Sequence, residues 1–517
     1  MRKNSNYLRL FTLTAVIGFT VTACGSIQHQ RGLEYIRNGD YDRAIAEFSK
    51  VILFDPNDEY AYNRRGNAYY GKGDYDSAIA DYSQAIQINP DYAIAYHNRG
   101  RAYNQKRDYD LAIADCSQAI QLDPNYAIAY NNRGRAYNRK RDYDSAIADY
   151  SQAIQINPNY ATAYNNRGVA YYSKGDYDSA IADYSQAIQL DPNYAIAYEN
   201  RGDAYNQKND YDLAIADCSQ AIQINPNSAT AYYYRGIAYV RKGDIDPAFA
   251  DFNRAVQINP NYAAAYNRRG QIYLLKGEYD PAFADFNRAL QLNPNYADAY
   301  NNRGFIYSQR GDYNRAFADF NQAIRLNPNY ADAYNNRAHI YTLAGEYDRA
   351  FADFNQAILL DPSSAEAYNG RGLTYYITGD YDHAIADFNR SIQLNQNSAD
   401  AYNNRGALYI AKGEYDHAIA DYSQAIQINP NYATAYNNRG YAYNQKGEYG
   451  LAIADLNQAI LLDPNYANSY RHRGFAYMQK GNYRQARADL EMALQIDPNY
   501  KDAQELLEEL QRVYNVT

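Results

Sequence analysis

Small and aromatic residues recur at helical spacing along almost the whole chain, with polar residues between them. In residues 297–330 one such run ends at Gly311-Asp312, and a second run follows and ends at Pro328. The repeating positions are Tyr300, Gly304 and Tyr307 in the first run and Ala316, Phe320 and Ala323 in the second. Spacings of three and four residues predict two amphipathic helices, each with one buried face. Gly-Asp predicts the end of the first helix and the N-cap of the second, and Pro ends the second.

This arrangement repeats every 34 residues, and fourteen copies without insertion or deletion fill Gly25 to Tyr500. Numbered within a copy, position 4 is Tyr and position 8 is Gly in thirteen copies, while positions 11 and 20 are always Tyr and Ala. Position 24 is Tyr or Phe in ten copies, and position 32 is Pro in thirteen. A fixed period of this length predicts a stack of repeated units rather than one globular core.

These residues at these spacings resemble the signature of the tetratricopeptide repeat (TPR) family, and the resemblance covers all fourteen copies. It implies an all-α fold: a right-handed superhelical solenoid of about fourteen helix-turn-helix repeats. Residues 501–517 carry Leu506, Leu507, Leu510 and Val513 at helical spacing, with acidic residues between them. We expect this tail to form a C-terminal capping helix on copy fourteen.

Two charged positions depart from the family pattern. Position 7 is Arg in every copy, from Arg31 to Arg473, and position 23 is acidic in every copy, from Glu47 to Asp489. Because both positions border buried faces, the joint change predicts a ladder of Arg–carboxylate pairs along the stack. The spacing leaves open whether each pair lies within one copy or between neighbouring copies.

The N-terminus has the pattern of a targeting segment. Arg2, Lys3 and Arg9 precede an apolar run of small residues that is too short to be a final membrane anchor. Val21-Thr22-Ala23-Cys24 follows and resembles the bacterial lipobox. The resemblance implies that residues 1–23 are a lipoprotein signal peptide and that Cys24 is lipidated. The protein would then be tethered to a membrane of the bacterial cell envelope and face the periplasm or the exterior. The alternative is an ordinary secretory cleavage site beside a chance Cys.

Composition narrows the function. A formal net charge of −9 argues against nucleic-acid binding. No phosphate-binding glycine loop, nucleophile elbow or Cys/His constellation is present in the sequence, so neither an enzyme nor a cofactor is expected. Cys116 and Cys218 both occupy position 24 and are predicted to be small buried residues. The six His are scattered, which favours solvated surface over a metal site.

Function is therefore expected on the face of each first helix that points away from the buried side, at positions 2, 5, 6, 9, 12 and 13. We call it the groove face, because in this family it lines the concave surface. Positions 5 and 6 are mostly Asn. An Asn amide both donates and accepts, so a row of them suits an extended peptide backbone. The row resembles the asparagine ladder of O-linked N-acetylglucosamine transferases, although solvated Asn side chains are an equal alternative. The position-6 candidates are Asn132, Asn166, Asn302, Asn336, Asn404 and Asn438.

The groove face changes chemistry along the chain. Its N-terminal part carries Arg101, Arg135 and Arg139, and an acidic segment or anionic polymer is expected there. The later copies turn apolar, and position 2 becomes acidic at Asp298, Asp332, Glu366 and Asp400. A row of exposed apolar residues usually marks an interface, so we expect a partner segment that is apolar with basic flanks. The apolar candidates are Leu274, Phe305, Leu373, Ile377 and Tyr441.

Two functions fit these features. The first is a non-catalytic, membrane-tethered scaffold that binds proteins or peptides in the cell envelope. The second is a cell-wall or polysaccharide-binding factor in which Asn and Tyr rows contact sugars.

Overall fold

A computed structural model of the protein describes residues 27–514, and every regular element in that range is an α-helix. The predicted all-α stack of helix pairs is confirmed. The chain divides into two compact units, Met1–Asn261 and Tyr262–Thr517. No helix in the described range is long and apolar enough to cross a membrane.

The first unit is built of helices in which each packs against the next, and first helices of neighbouring copies also touch. Its helices are α1 (described over 27–37), α2 (Tyr41–Phe54), α3 (Glu59–Lys72), α4 (Tyr75–Ile88), α5 (Ala93–Lys106), α6 (Tyr109–Leu122), α7 (Ala127–Arg139), α8 (Tyr143–Ile156), α9 (Ala161–Lys174), α10 (Tyr177–Leu190), α11 (Ala195–Gln207), α12 (Tyr211–Ile224), α13 (Ala229–Lys242) and α14 (Ile245–Ile258).

The second unit repeats this plan and adds one helix at its C-terminal end. Its helices are α15 (Ala263–Leu275), α16 (Tyr279–Leu292), α17 (Ala297–Gln309), α18 (Tyr313–Leu326), α19 (Ala331–Leu343), α20 (Tyr347–Leu360), α21 (Ala365–Thr378), α22 (Tyr381–Leu394), α23 (Ala399–Ala411), α24 (Tyr415–Ile428), α25 (Ala433–Gln445), α26 (Tyr449–Leu462), α27 (Ala467–Gln479), α28 (Tyr483–Ile496) and α29 (Lys501–Tyr514). In α29, Ala503 and Leu510 are fully buried in one cluster with Leu490 of α28.

The turn inside each pair explains the recurring Gly-Asp. Gly73 ends α3 with a φ of 86°, and the Asp74 carboxylate caps α4 by accepting the Ser77 amide at 3.1 Å. The same left-handed conformation occurs at Arg107, with a φ of 66°, and at Asn209, with a φ of 64°. Asn tolerates this conformation but Arg does not adopt it readily, so at Arg107 the helix pair imposes it.

Close helix contact explains the Gly at position 8. A Cβ on Gly304 would lie 2.8 Å from Cε1 of Phe320, the position-24 ring of the same copy. Copy ten has Ala338 at position 8 and compensates one copy further on. There Gly370 replaces the usual Asn, and a Cβ on Gly370 would lie 2.5 Å from Cε1 of Phe354. In this copy the space for the Phe ring is therefore left by Gly370 of the next first helix instead of by a Gly at position 8.

The predicted Arg–carboxylate ladder is present in copies two to fourteen, and each ion pair lies within one copy. Copy one departs from the prediction, since Arg31 is exposed and Glu47 pairs with Lys50 instead. Arg303 Nε and Nη2 donate to the two carboxylate oxygens of Asp319 at 2.7 and 2.8 Å. Its remaining Nη1 donates to Asn287 Oδ1, at position 25 of the preceding copy, at 2.7 Å. The bidentate pair recurs in copies two to fourteen, from Arg65–Asp81 to Arg473–Asp489. One guanidinium therefore joins the two helices of a copy and links that copy to the one before.

The ladder is only partly screened from water. The Arg303 side chain is 20% exposed and that of Asp319 is 9% exposed, and the guanidinium carbon lies 5.5 Å from the centre of the Tyr300 ring. The hydrogen bond to Asp81 raises the pKa of Arg65, while burial raises the pKa of the Asp81 carboxyl. Because desolvation opposes the attraction, the pair fixes geometry more than it adds net stability.

We expect Arg303→Met to lower the free energy of unfolding by about 3 kcal/mol, because it leaves the Asp319 carboxylate buried and unpaired. Adding Asp319→Asn should recover part of that loss, since it removes the stranded charge. Adding Asp285→Asn should instead deepen the loss, because Asp285 pairs with Arg269. Urea unfolding followed by circular dichroism measures all three. Equal effects of the two acidic substitutions would contradict the observed pairing.

Candidate functional site

The Asn row of the groove face is a hydrogen-bonded chain. Each position-6 amide donates to the position-5 side chain of the preceding copy. Asn166 Nδ2, for example, donates to Asn131 Oδ1 at 2.9 Å. The six position-6 Asn predicted from the sequence all donate in this way: Asn132 to His97, Asn166 to Asn131, Asn302 to Asn267, Asn336 to Asn301, Asn404 to Asn369 and Asn438 to Asn403.

These hydrogen bonds within the Asn row leave few amide donors and acceptors free for a partner. Asn132 is only 4% exposed, and its Nδ2 lies 2.5 Å from Nε2 of His97. Position 5 is held further by position 34 of its own copy, as where Asn63 donates to the Tyr92 hydroxyl at 3.2 Å. A peptide backbone could therefore hydrogen-bond only to the amide groups that are not already paired within the stack. Peptide binding by this row stays a prediction.

The basic side chains of the first unit differ in how freely they project. The guanidinium of Arg101 lies 3.9 Å from the centre of the Tyr70 ring, and its Nε is buried without a hydrogen-bond partner. Arg135 and Arg139, one helical turn apart on α7, are exposed. Both line a cleft of about 530 Å³ on the groove face of copies four to six. The structure thus brings together two of the three predicted Arg and separates the third.

Two carboxyls lie one turn apart on α11, that of Glu199 buried and that of Asp203 half-buried. Glu199 accepts the Ser228 hydroxyl at 2.6 Å, and Asp203 accepts the Tyr172 hydroxyl at 2.8 Å. Burial raises the pKa of both carboxyls. The pairing of position 5 with position 34 recurs here with Glu and Ser in place of Asn and Tyr.

The apolar candidates of the second unit fall into two groups. Phe305 and Ile377 are 37% and 48% exposed. Leu274 and Leu373 instead pack partly against the buried clusters of their own helix pairs. Tyr441 is half-buried, with its ring centre 5.0 Å from that of His472. The exposed part of the predicted row is therefore smaller than the sequence indicated.

Several smaller predictions concern Cys and His. Cys116 and Cys218 are buried free thiols, as predicted, and burial raises the pKa of Cys116 to about 12. His97 is buried between two copies, and burial lowers the pKa of His339 to about 4 and that of His472 to about 3, so the interpretation as solvated surface was wrong for these three residues. In the part of the chain that the structure describes, no three His, Cys, Asp or Glu side chains are grouped as metal ligands would be. Cys24, the predicted lipidation site, lies outside the described residues.

We expect Glu199→Gln to raise the free energy of unfolding at pH 7 by about 0.5–2 kcal/mol, the usual size of a stabilising substitution. The pKa of Glu199 is raised in the folded protein. Its contribution to stability is therefore complete below the unfolded pKa of about 4.3 and is lost as the pH rises through the folded value. Gln keeps an acceptor oxygen for Ser228 and cannot ionise.

Urea unfolding from acid to neutral pH measures this effect. The gain should vanish near the unfolded pKa, and Glu366→Gln, at an exposed groove position of α21, serves as the control. A gain that is independent of pH would mean that ionisation of Glu199 does not oppose folding.

Comparison with protein families gives several matches along the chain. The family described as TPR repeat matches more than half of it, at residues 32–73, 66–106, 134–175, 202–243, 238–277, 338–379, 372–413, 408–447 and 440–481. Families described as Tetratricopeptide repeat match at residues 93–126, 161–194, 467–500, 270–339 and 116–148. None of these descriptions indicates a catalytic family. No curated protein sequence matches the chain.

One solved structure shows the same fold, and two others are similar over part of the chain. The APC/C hetero-tetramer Cut9-Hcn1 is similar at a TM-score of 0.54 and 19% identity, covering 96% of this chain and 99% of the other. A tetratricopeptide repeat protein from Parabacteroides merdae has a TM-score of 0.38 and 24% identity over 48% of this chain and 98% of the other. MamA protein has a TM-score of 0.30 and 30% identity over 33% and 92%. The first similarity supports the fold only, and the other two are too low to support a conclusion. The structure consists of helix pairs, and the TPR repeat family matches more than half of the sequence. This chain therefore belongs to the tetratricopeptide repeat family.

Proposed function

We propose that the protein is a non-catalytic scaffold, anchored by lipid in the bacterial cell envelope, that binds protein partners on its groove face. One observation carries the binding part. Phe305, Leu343 and Ile377 are exposed at groove positions of three successive copies of the second unit. An apolar row of this kind, recurring on one face, is typical of a docking surface.

The charges of that region select the partner. In copies nine to twelve the groove positions carry Asp298, Asp332, Glu366 and Asp400 and no Lys or Arg. Burial raises the pKa of Asp332, and the neighbouring carboxylates add to the shift. A segment with an apolar centre and basic flanks would cover the apolar row and relieve this repulsion. A polysaccharide would use hydroxyl contacts instead, so its binding is tested beside that of proteins.

The anchor rests on the sequence of the first 24 residues. A basic start, a short apolar run and Val-Thr-Ala-Cys are the parts of a lipoprotein signal. Copy one begins directly after Cys24, so the anchored chain would hold the first repeat next to the membrane. Dual acylation of one Cys is sufficient for stable attachment.

We expect the mature protein to begin with diacylated Cys24, as mass spectrometry of the N-terminus would show. Cys24→Ser should move the protein from the membrane fraction to the soluble fraction, because no acyl chain can then be attached. Cys116→Ser changes a buried thiol and is the control. An unmodified mature terminus at another residue would refute the anchor.

The binding surface is tested by Phe305→Ser combined with Ile377→Ser. We choose Ile377 over Leu373 because Leu373 packs partly in the core. Leu451→Ser with Leu461→Ser is the matched control, since both residues are exposed, but on the second helix of their copy. Each variant is first checked for folding by circular dichroism.

Capture from native membranes, followed by mass spectrometry, should recover proteins with the wild type and the control but not with the groove variant. The same chains are also incubated with purified cell-wall glycan. Equal protein recovery by all three chains would show that this face is not the binding site. Glycan binding that is lost only in the groove variant would favour the polysaccharide function.

A further inference from the structure

The groove face of copies two to five has the opposite charge to that of copies nine to twelve. In copies two to five its charged side chains are all Arg, at Arg64, Arg101, Arg135 and Arg139. This is unusual in a chain whose net charge is −9. The Arg of the ladder each have a carboxylate partner. Among the described residues Arg135 and Arg139 have no ion-pair partner. Two unpaired guanidiniums on one helix turn attract an anion.

The cleft beside these two Arg has walls of different chemistry. Its lining combines the charged Arg135 and Arg139 of α7 with the apolar Val169 of α9 and Ile196 of α11. Ile196 is an exposed large apolar residue. The ring of Tyr150, which also lines the cleft, is 1% exposed and is fixed in the core of its helix pair. An occupant must therefore carry both an anionic and an apolar group.

A third feature of the cleft is an acceptor without a donor. Asn138 lines the cleft, and its Oδ1 is buried with no hydrogen-bond partner among the described residues. A buried acceptor left unpaired costs free energy that a bound N–H or O–H group would recover. A polyphosphate supplies anionic oxygens but neither a donor nor apolar atoms. A peptide supplies all three, through an acidic side chain, its backbone N–H and an apolar side chain.

We propose that this cleft binds an extended peptide segment in which acidic and apolar side chains alternate. The acidic side chain lies on Arg135 and Arg139, a backbone N–H donates to Asn138, and the apolar side chain packs on Val169 and Ile196. Alternation is expected because successive side chains of an extended peptide point in opposite directions. The inference rests on the proposed function, since it names a partner class for one part of the same groove face.

The test uses the full mature chain and a fluorescein-labelled peptide of alternating Glu and Leu, followed by fluorescence anisotropy. Peptides with Gln for Glu, or Ser for Leu, and inorganic polyphosphate are the competitors. The Glu-Leu peptide should bind best, and the combined Arg135→Gln and Arg139→Gln substitutions should weaken it about tenfold. Arg325→Gln, at an exposed site on α18 with no ion pair among the described residues, should leave binding unchanged. Rising salt should weaken wild-type binding more than binding by the double variant.

Ile196→Ser tests the apolar wall, and Ile94→Ser is its control at the same repeat position outside the cleft. Only Ile196→Ser should weaken the Glu-Leu peptide, and circular dichroism confirms that each variant is folded. If polyphosphate binds as tightly as the Glu-Leu peptide, or if Arg325→Gln also abolishes peptide binding, then binding is non-specific charge attraction. Either result would overturn the proposal. So would no peptide binding by the wild type.

These results are separable from those of the proposed function. Capture from membranes depends on substitutions in the second unit, at Phe305 and Ile377. If the second-unit substitutions abolish capture while substitution of Arg135 and Arg139 leaves peptide binding unchanged, the inference fails and the scaffold function stands. If peptide binding follows the cleft substitutions while membrane capture is unaffected by any groove substitution, the scaffold function fails.

Discussion

The structure depends on a three-way contact of one guanidinium in each of copies two to fourteen. Its fork binds a carboxylate on the second helix of the same copy, and its third nitrogen reaches Ser or Asn at position 25 of the copy before. Lys could not make this contact, because a single ammonium cannot present two parallel donors to a carboxylate and a third donor elsewhere. The contact fixes the angle within a pair and the register between neighbours, which explains why Arg occupies position 7 in every copy.

Much of this fold was predictable because the repeat supplies many observations of one local structure. Helix ends follow from Gly-Asp and Pro at fixed positions, and the buried faces follow from period 3.6. The partner of Arg303 was not predictable, since Asp319 and Asp285 lie at similar distances along the sequence. Helix packing decides that question. Position 25 was missed for the same reason: a Ser or Asn on an exposed-looking face gives no signal until the preceding copy is placed beside it.

The groove face was harder to predict, because a side chain there can either pack within the stack or remain free to contact a partner. The Asn row was identified correctly as a row, but its amides also tie copy to copy, and spacing alone does not reveal how a side chain divides its hydrogen bonds. Arg101 and Arg135 share position 9, yet the first lies over Tyr70 and the second projects into a cleft. The difference arises from a neighbour on another helix. Leu373 and Ile377 differ likewise, since a shift of one helical turn decides whether a side chain meets the core or water.

Variation within a constant backbone is the strongest guide to function in such a chain. Positions 4, 7, 11 and 20 barely change, because the stack cannot form without them. Position 9 ranges from Arg135 to Asp203 and Phe305 on helices of nearly equal length. Folding does not require that range, because each of these side chains is accommodated by the same helix pair. Under the proposed function, these differences determine which partner segment the groove face of each unit binds.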